Sequence, residues 1–365
     1  MSNIVGKLFG FHFAQANVPQ LVGKRFVVTG GTNGIGLSAA RTLYSHGAEV
    51  VILGSQEGTA DAAEEYIKTG DLKRAPKDYQ DGFAGIVGDY ADNSADGGNQ
   101  SGEVSSRVVD FKDLKAVSKV GKELAEKYDR LDGFLGIAGL GVNKFTLTAD
   151  GYDAHLTVNC LSHILLLSYL LPNLEKTSRT HPDADVRIVL MSSELHRNTF
   201  GGPSENWGGN KFRDAGEFAK DVGPANLYAR SKVGQTLIAK ALVQRHLQPP
   251  SKILAYSTHP GAVATGQTRQ YDEAYGDAVG GAIQAAVRPL MRAPDEGALS
   301  VLWAATSAEA RTGGYKNGEY FTDPAQEGKP SSEATDQELI DNFFNTGLEV
   351  IKKVVGQEGV GHFSA

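Results

Sequence analysis

What most constrains this chain is an order. β-rich runs alternate with longer helical patterns along most of its length. Residues 25–29 (RFVVT) are a run of strand-forming side chains, and a helical pattern follows at 35–46. Residues 49–53, 107–110, 131–137, 186–191, 252–257 and 319–322 read as further strands. Helical patterns occupy 59–68, 112–128, 152–174, 225–246 and 294–306. Strand, helix, strand in repetition implies parallel pairing through right-handed crossovers. The apolar runs are continuous, as expected of strands covered on both faces. The expected fold is α/β: a doubly wound sheet of about seven parallel strands with helices on both faces, in one domain over residues 21–323.

Two segments break the rhythm. Residues 70–103 are rich in Gly, Asp, Asn and Ser and are expected to form a mobile surface insertion. Residues 194–223 carry Gly201, Gly202, Trp207, Gly208 and Gly209, and a loop of that length beside strand ends is expected to wall a substrate pocket. Residues 324–365 form a tail with one amphipathic helix at 336–355. Residues 1–20 lack the basic start and apolar run of a secretory signal. Phe9, Phe11 and Phe13 are expected to pack on the domain rather than touch a membrane. The most apolar stretch, 160–172, is shorter than the roughly 20 residues a bilayer needs, so no transmembrane segment is expected. Cys160 is the one cysteine, so no intrachain disulfide can form and a reducing, cytoplasmic setting is expected. A net charge of −7 without a Lys/Arg block argues against nucleic acid as a partner. Asn99-Gln100-Ser101 matches a glycosylation acceptor, but three residues carry no weight alone.

The first strand runs into Thr29-Gly30-Gly31-Thr32-Asn33-Gly34-Ile35-Gly36, and a helix opens directly after it. A turn this tight, whose backbone must approach a pyrophosphate, needs glycine. The helix start then offers free N–H groups and partial positive charge. The strand–turn–helix context makes this a dinucleotide-binding, Rossmann-type signal rather than a plain turn. The spacing resembles T-G-x-x-x-G-x-G, the cofactor motif of short-chain dehydrogenases/reductases, and the branch that includes retinol dehydrogenases and WW-domain oxidoreductases resembles it further. Glu296-Gly-Ala, Gly318-Glu-Tyr-Phe321 and the long stretch between Ser193 and Tyr228 carry that second likeness.

The resemblance implies a set of cofactor contacts. Gly30, Thr32, Asn33, Gly34, Ile35 and Gly36 would cradle the pyrophosphate. No acidic residue ends the second strand; Ser55 and Gln56 stand there and can donate to a 2′-phosphate, which favours NADP(H) over NAD(H). Asp110 and Phe111 would meet the adenine. Ala138 and Gly139 would let the nicotinamide ribose approach. Pro260, Gly261, Val263 and Thr265 match the family's Pro-Gly motif at the carboxamide and pyrophosphate. One departure stands out: where the family shows Asn-Asn-Ala-Gly, this chain has Gly136-Ile137-Ala138-Gly139, losing the asparagine that ties neighbouring strands.

Tyr228-Ala-Arg-Ser-Lys232 places a phenol and an ammonium on one helix face. A phenol of pKa about 10 is a poor acid–base group at neutral pH, and a neighbouring ammonium favours its phenolate. By resemblance Tyr228 is the acid–base, Lys232 lowers its pKa and binds the nicotinamide ribose, and Ser193 polarises the substrate oxygen, with Ser192 its easily confused neighbour. Asn159 matches the fourth catalytic member, anchoring a water near the lysine. His163 is expected to be a packed or hydrogen-bonded histidine; His155, His196 and His259 show no metal-ligand spacing with it, so no metal is expected. The implied activity is reversible hydride transfer between NADP(H) and a carbonyl or secondary alcohol. The pocket is expected from 140–145, 195–207 and 267–280, whose apolar and aromatic content suits a hydrophobic or aromatic small molecule. A cofactor-binding regulator without turnover and a reductase of activated C=C bonds are the alternatives. The resemblance allows a homodimer through the helices of Asn159 and Tyr228, and also monomers.

Overall fold

The computed structural model describes residues 13–83, 102–197, 211–265, 270–288 and 291–364. Its centre is one sheet of eight strands in the order β3-β2-β1-β4-β5-β6-β7-β8. The strands are β1 (Arg25–Thr29), β2 (Glu49–Gly54), β3 (Glu103–Val108), β4 (Gly133–Gly136), β5 (Arg187–Met191), β6 (Leu254–Thr258), β7 (Tyr320–Asp323) and β8 (Gln326–Glu327). β1 to β7 are all parallel. β8 adds a two-residue antiparallel edge. The chain moves outward from β1 through β2 to β3, then returns to lay β4 on the other side of β1. This reversal opens a crevice at the carboxyl ends of β1 and β4, where open α/β sheets bind ligands.

Successive strand residues point to opposite faces and feed two apolar layers. Val27, Val51, Phe134, Ile188 and Ala255 face α3 (Leu114–Lys127), α4 (Ala154–Thr180) and α5 (Pro224–Arg245). Phe26, Val28, Val50, Leu135 and Val189 face α1 (Gly34–Ser45), α2 (Glu57–Thr69) and α6 (Leu299–Thr306). The tail helix α7 (Gln337–Val355) joins the first layer through Leu339, Ile340, Phe343, Phe344, Val350 and Ile351. Among the described residues α4 alone is long and apolar enough to cross a membrane, but 94% of its apolar window is buried inside the protein. Phe13, Val18 and Leu21 are buried in the second layer, so this part of the N-terminal extension packs on the domain. Phe9 and Phe11 lie outside the described residues.

Three expectations need correcting. β3 starts at Glu103 rather than at 107. It lies at the edge of the sheet and is half exposed, so Glu103-Val-Ser-Ser-Arg107 can pair without an apolar run. The start of the insertion is no surface loop: residues 72–74 form a 3-10 turn, Lys77–Phe83 is a helix, and Ala75 and Tyr79 are buried. Residues 84–101, including Asn99-Gln100-Ser101, lie outside the description. The loop after β5 is also partly core, because Phe212 and Phe218 are fully buried against Phe343. Gly201, Gly202, Trp207, Gly208 and Gly209 fall outside the described residues.

Candidate active site

A cleft of about 580 Å³ follows the carboxyl edge of the sheet. That volume lies within the roughly 300–1,000 Å³ typical of small-molecule and cofactor pockets. Gly30, Thr32, Asn33, Gly34, Ile35 and Gly36 form part of its wall, with Ser55, Gln56, Asp110 and Phe111 beside β2 and β3. Ala138 and Gly139 follow β4; Pro260 and Thr265 follow β6; Tyr228 and Lys232 reach in from α5. Sixteen of the eighteen residues assigned to the cofactor from the sequence thus share one wall. Gly261 and Val263 belong to the same loop as Pro260 and Thr265 but do not line it.

At the turn, Gly30 has φ +67°, and a Cβ there would lie 2.9 Å from the Ala138 Cα. A Cβ on Gly36 would lie 2.2 Å from the Gly30 carbonyl oxygen, so only glycine lets α1 start this close to β1. The Asn33 side chain caps α1 by accepting from the Gly34 N–H at 2.8 Å. The Asp110 carboxylate accepts from the Lys112 N–H at 2.9 Å, bracing the turn before α3. A glycine-lined cradle at a helix N-terminus, open along one side, fits the pyrophosphate of a dinucleotide.

The other end of the cleft is made of side chains. Tyr228 lies beside Ser193, whose hydroxyl pulls the phenol's pKa down; Ser193 Oγ itself accepts from the Leu195 N–H at 3.2 Å. The Lys232 ammonium lies 5.6 Å from the centre of the Tyr228 ring and donates to the Met191 carbonyl at 2.8 Å. The Ser192 hydroxyl is turned away, donating to the Lys232 carbonyl at 2.7 Å. Ser192 and Ser193 follow the last residue of β5; Ser192 lines the cleft with its hydroxyl turned away, whereas Ser193 stands beside the phenol without lining the cleft. Burial pushes the Tyr228 phenol up to about 12 and nearby Tyr271 adds to the rise, while the Ser193 hydroxyl opposes it. Burial also brings Lys232 down to about 8. The lysine does not produce the expected lowering of the tyrosine here; burial sets the direction.

Asn159 is fully buried behind the wall, in a π-helical turn of α4 over Thr157–Leu161. Its Oδ1 accepts from the Leu140 N–H at 2.7 Å, and its Nδ2 donates to the Leu140 carbonyl at 3.1 Å and to Ser231 Oγ at 2.8 Å. It thereby ties the loop after β4 to α5, one residue from Lys232.

The missing asparagine at Gly136 is replaced from elsewhere. The Ile137 and Ala138 N–H groups donate to Thr29 Oγ1 at 2.9 and 3.0 Å. His163 Nε2 stands 2.8 Å from the same hydroxyl, and Nδ1 stands 2.8 Å from the Asn159 carbonyl. Burial lowers the ring to about 4, so it is neutral. A carbonyl partner requires N–H at Nδ1, so Nε2 accepts from Thr29. A threonine and a buried histidine thus do the strand-tying, and no local sequence signal marks either for it.

No family model matches the chain. It is 30% identical over 312 residues to an uncharacterised oxidoreductase of Schizosaccharomyces pombe, covering 86% of this chain and 80% of that one. It is 28% identical over 354 residues to the short-chain dehydrogenase/reductase drtF of Aspergillus calidoustus, covering 92% and 96%. The mitochondrial oxidoreductase bli-4 of Neurospora crassa is 28% identical, over 95% of this chain and 75% of its own. This chain belongs to the short-chain dehydrogenase/reductase family. It is an oxidoreductase by that membership. Solved structures share the fold: the NADP complex of Pseudomonas aeruginosa RhlG has a TM-score of 0.55 at 18% identity, covering 83% of this chain and 95% of its own. L-sorbose reductase of Gluconobacter frateurii with NADPH and L-sorbose has 0.56 at 16% identity, covering 84% and 97%.

Against this family background, several wall residues were not assigned from the sequence. Asp78 comes from the insertion helix, and Lys112 follows the Asp110-Phe111 pair. Gly54, Ile137, Val158 and Met191 also line the cleft. Leu140 and Gln270 do so from two of the segments expected to form the pocket. The Gly141 N–H donates to Gln270 Oε1 at 2.7 Å, and Asn143 Nδ2 donates to Glu273 Oε2 at 2.8 Å. These bonds join the loop after β4 to a helix, Gln270–Tyr275, that periodicity did not reveal. Asp78 had no signal, since nothing in a Gly/Asp/Asn-rich stretch marks which part returns to the cleft.

Proposed function

We propose that this oxidoreductase reversibly transfers hydride between NADP(H) and the carbonyl or secondary alcohol carbon of a hydrophobic or aromatic small molecule. The observation that carries it is the Tyr228 phenol beside Ser193 at one end of a glycine-cradled cleft, with the Lys232 ammonium 5.6 Å from the centre of the same ring. The bound nicotinamide supplies or accepts the hydride. In the reducing direction, Ser193 and Tyr228 hold the substrate oxygen between their hydroxyls, and Tyr228 gives it the proton. Lys232 holds positive charge beside the phenol and binds the nicotinamide ribose. Its ammonium keeps the phenolate that remains from being left uncompensated.

For Asn159 we keep the place of relay anchor. A Cβ on Gly139 would lie 3.1 Å from its Oδ1 and 3.5 Å from Lys232 Nζ, so the amide and the ammonium face the same glycine, which supports that placing. Ser55 and Gln56 on the wall, with no carboxylate at the end of β2, support NADP(H) as the preferred cofactor. Several structural relatives are NADP complexes. Leu140, Val158 and the nearby Tyr271 support an apolar or aromatic substrate. A cytoplasmic site rests on the single buried Cys160, while the Neurospora relative is named mitochondrial; tagged-protein fractionation decides between them. The activity is tested by following reduced-nicotinamide absorbance with a panel of ketones and aldehydes, and identifying products by NMR. Alcohol products support the proposal. Saturated products from enones, with ketones untouched, would replace it with C=C reduction.

A further inference from the structure

Resting on the dinucleotide reading, we propose that Asp295 is a positioning residue that fixes the pyrophosphate half of the cleft against its nicotinamide half. The two halves come from distant parts of the chain. The first is the turn before α1; the second is the loop after β6. The structure joins them at one carboxylate. Asp295 Oδ1 accepts from the Ser38 hydroxyl on α1 and from the Tyr79 hydroxyl at 3.0 Å. Ser38 and Tyr79 are 2% and 1% exposed, while Asp295 is half-buried, so these bonds sit at the edge of the interior. Gln15 Nε2 adds a clamp, donating to Ser38 Oγ at 3.0 Å and to the Asp295 carbonyl at 3.3 Å.

Asp295 is also three residues from Arg292, which docks the second half. The Ala264 N–H donates to the Arg292 carbonyl at 3.0 Å, and the Arg292 N–H donates to the Ala262 carbonyl at 2.7 Å. Val263 and Arg292 are thus paired like neighbouring strands. Ala293, between them and Asp295, is fixed by the Glu296 side chain, which accepts from its N–H at 3.1 Å. No step from the Val263 loop to α1 leaves these bonds. Tyr79 brings in a third wall, because Asp78, its neighbour on the insertion helix, lines the same cleft. The carboxylate therefore acts on the cofactor only through what it holds apart and in register.

A dinucleotide reads that register, whereas a ligand confined to one half does not. The test measures affinities of the full chain for NADPH, NADH and 2′,5′-ADP, which carries only the adenosine side of NADPH, by fluorescence titration or calorimetry. In D295A, NADPH affinity should fall by about tenfold or more, while 2′,5′-ADP affinity stays within about threefold of wild type. D295N keeps an oxygen that both hydroxyls can donate to and should bind NADPH within about threefold of wild type. S38A and Y79F each remove one donor and should show the same split in smaller measure, which keeps the test open if D295A does not fold. A D295A that binds NADPH like wild type, or that loses NADPH and 2′,5′-ADP equally, overturns the proposal. A wild-type chain that binds neither NADPH nor NADH overturns the dinucleotide reading beneath it.

Discussion

The pyrophosphate end of the cleft is built from backbone, and the chemical end is built from side chains. At the first, Gly30 and Gly36 matter for atoms they lack: any Cβ would meet Ala138 or the Gly30 carbonyl. At the second, Ser193, Tyr228 and Lys232 matter for atoms they carry: the Lys232 ammonium is held by the Met191 carbonyl and the Ser193 hydroxyl by the Leu195 N–H. The first end should fail on addition, the second on deletion. Failure at the first should appear in cofactor affinity. Failure at the second should appear in turnover with affinity kept.

The largest expected effect is at the chemical end. Y228F should lower kcat by about 10²–10⁴-fold, the usual worth of a positioned acid–base group. Its NADPH affinity should stay near wild type by titration. At the backbone end, G36A should do the reverse. A Cβ 2.2 Å from the Gly30 oxygen forces the turn apart, at about 1–3 kcal/mol as for other overpacking, or roughly tenfold to a hundredfold in cofactor Kd. A G36A enzyme with normal Kd and low kcat would break the comparison.

The pH profile sharpens it. Tyr228, near 12, stays protonated through neutrality, whereas Lys232, near 8, loses its charge just above it. The lysine supports the reaction only while charged. Hence kcat/KM for carbonyl reduction should be level at neutral pH and fall as pH rises through about 8. K232R, which keeps its charge, should move the fall to higher pH. The smallest effect belongs to the tie between the two ends. T29V leaves the buried Ile137 and Ala138 N–H groups without their acceptor. Urea unfolding should show a loss of about 1–3 kcal/mol. Unchanged stability would mean that His163 and Thr29 do not replace the missing asparagine.

The same contrast explains what the sequence made legible. A strand, a glycine turn and a helix are local, so the residues from Gly30 to Gly36 could be placed on one wall without coordinates. Tyr228 and Lys232 share a helix face, and their spacing alone brings them together. The resemblance chose Ser193 over Ser192, and the structure supplies a physical reason, since the Ser192 hydroxyl turns to the Lys232 carbonyl. Thr29 with His163, and Asp295 with Ser38 and Tyr79, join residues far apart in the chain through single hydrogen bonds. No periodicity reports such a meeting. Asp78 was hidden for a second reason: composition marked its segment as loop, yet buried Tyr79 anchors it.

The most direct test is a crystal structure of the chain with NADPH and a ketone. The account predicts one extended dinucleotide in the cleft, its adenosine against Ser55, Gln56 and Asp110 and its nicotinamide ribose at Lys232. The ketone oxygen should sit between Ser193 and Tyr228. A dinucleotide bound elsewhere at saturation, or one whose nicotinamide points away from Tyr228 with a turned-over substrate in place, would contradict it.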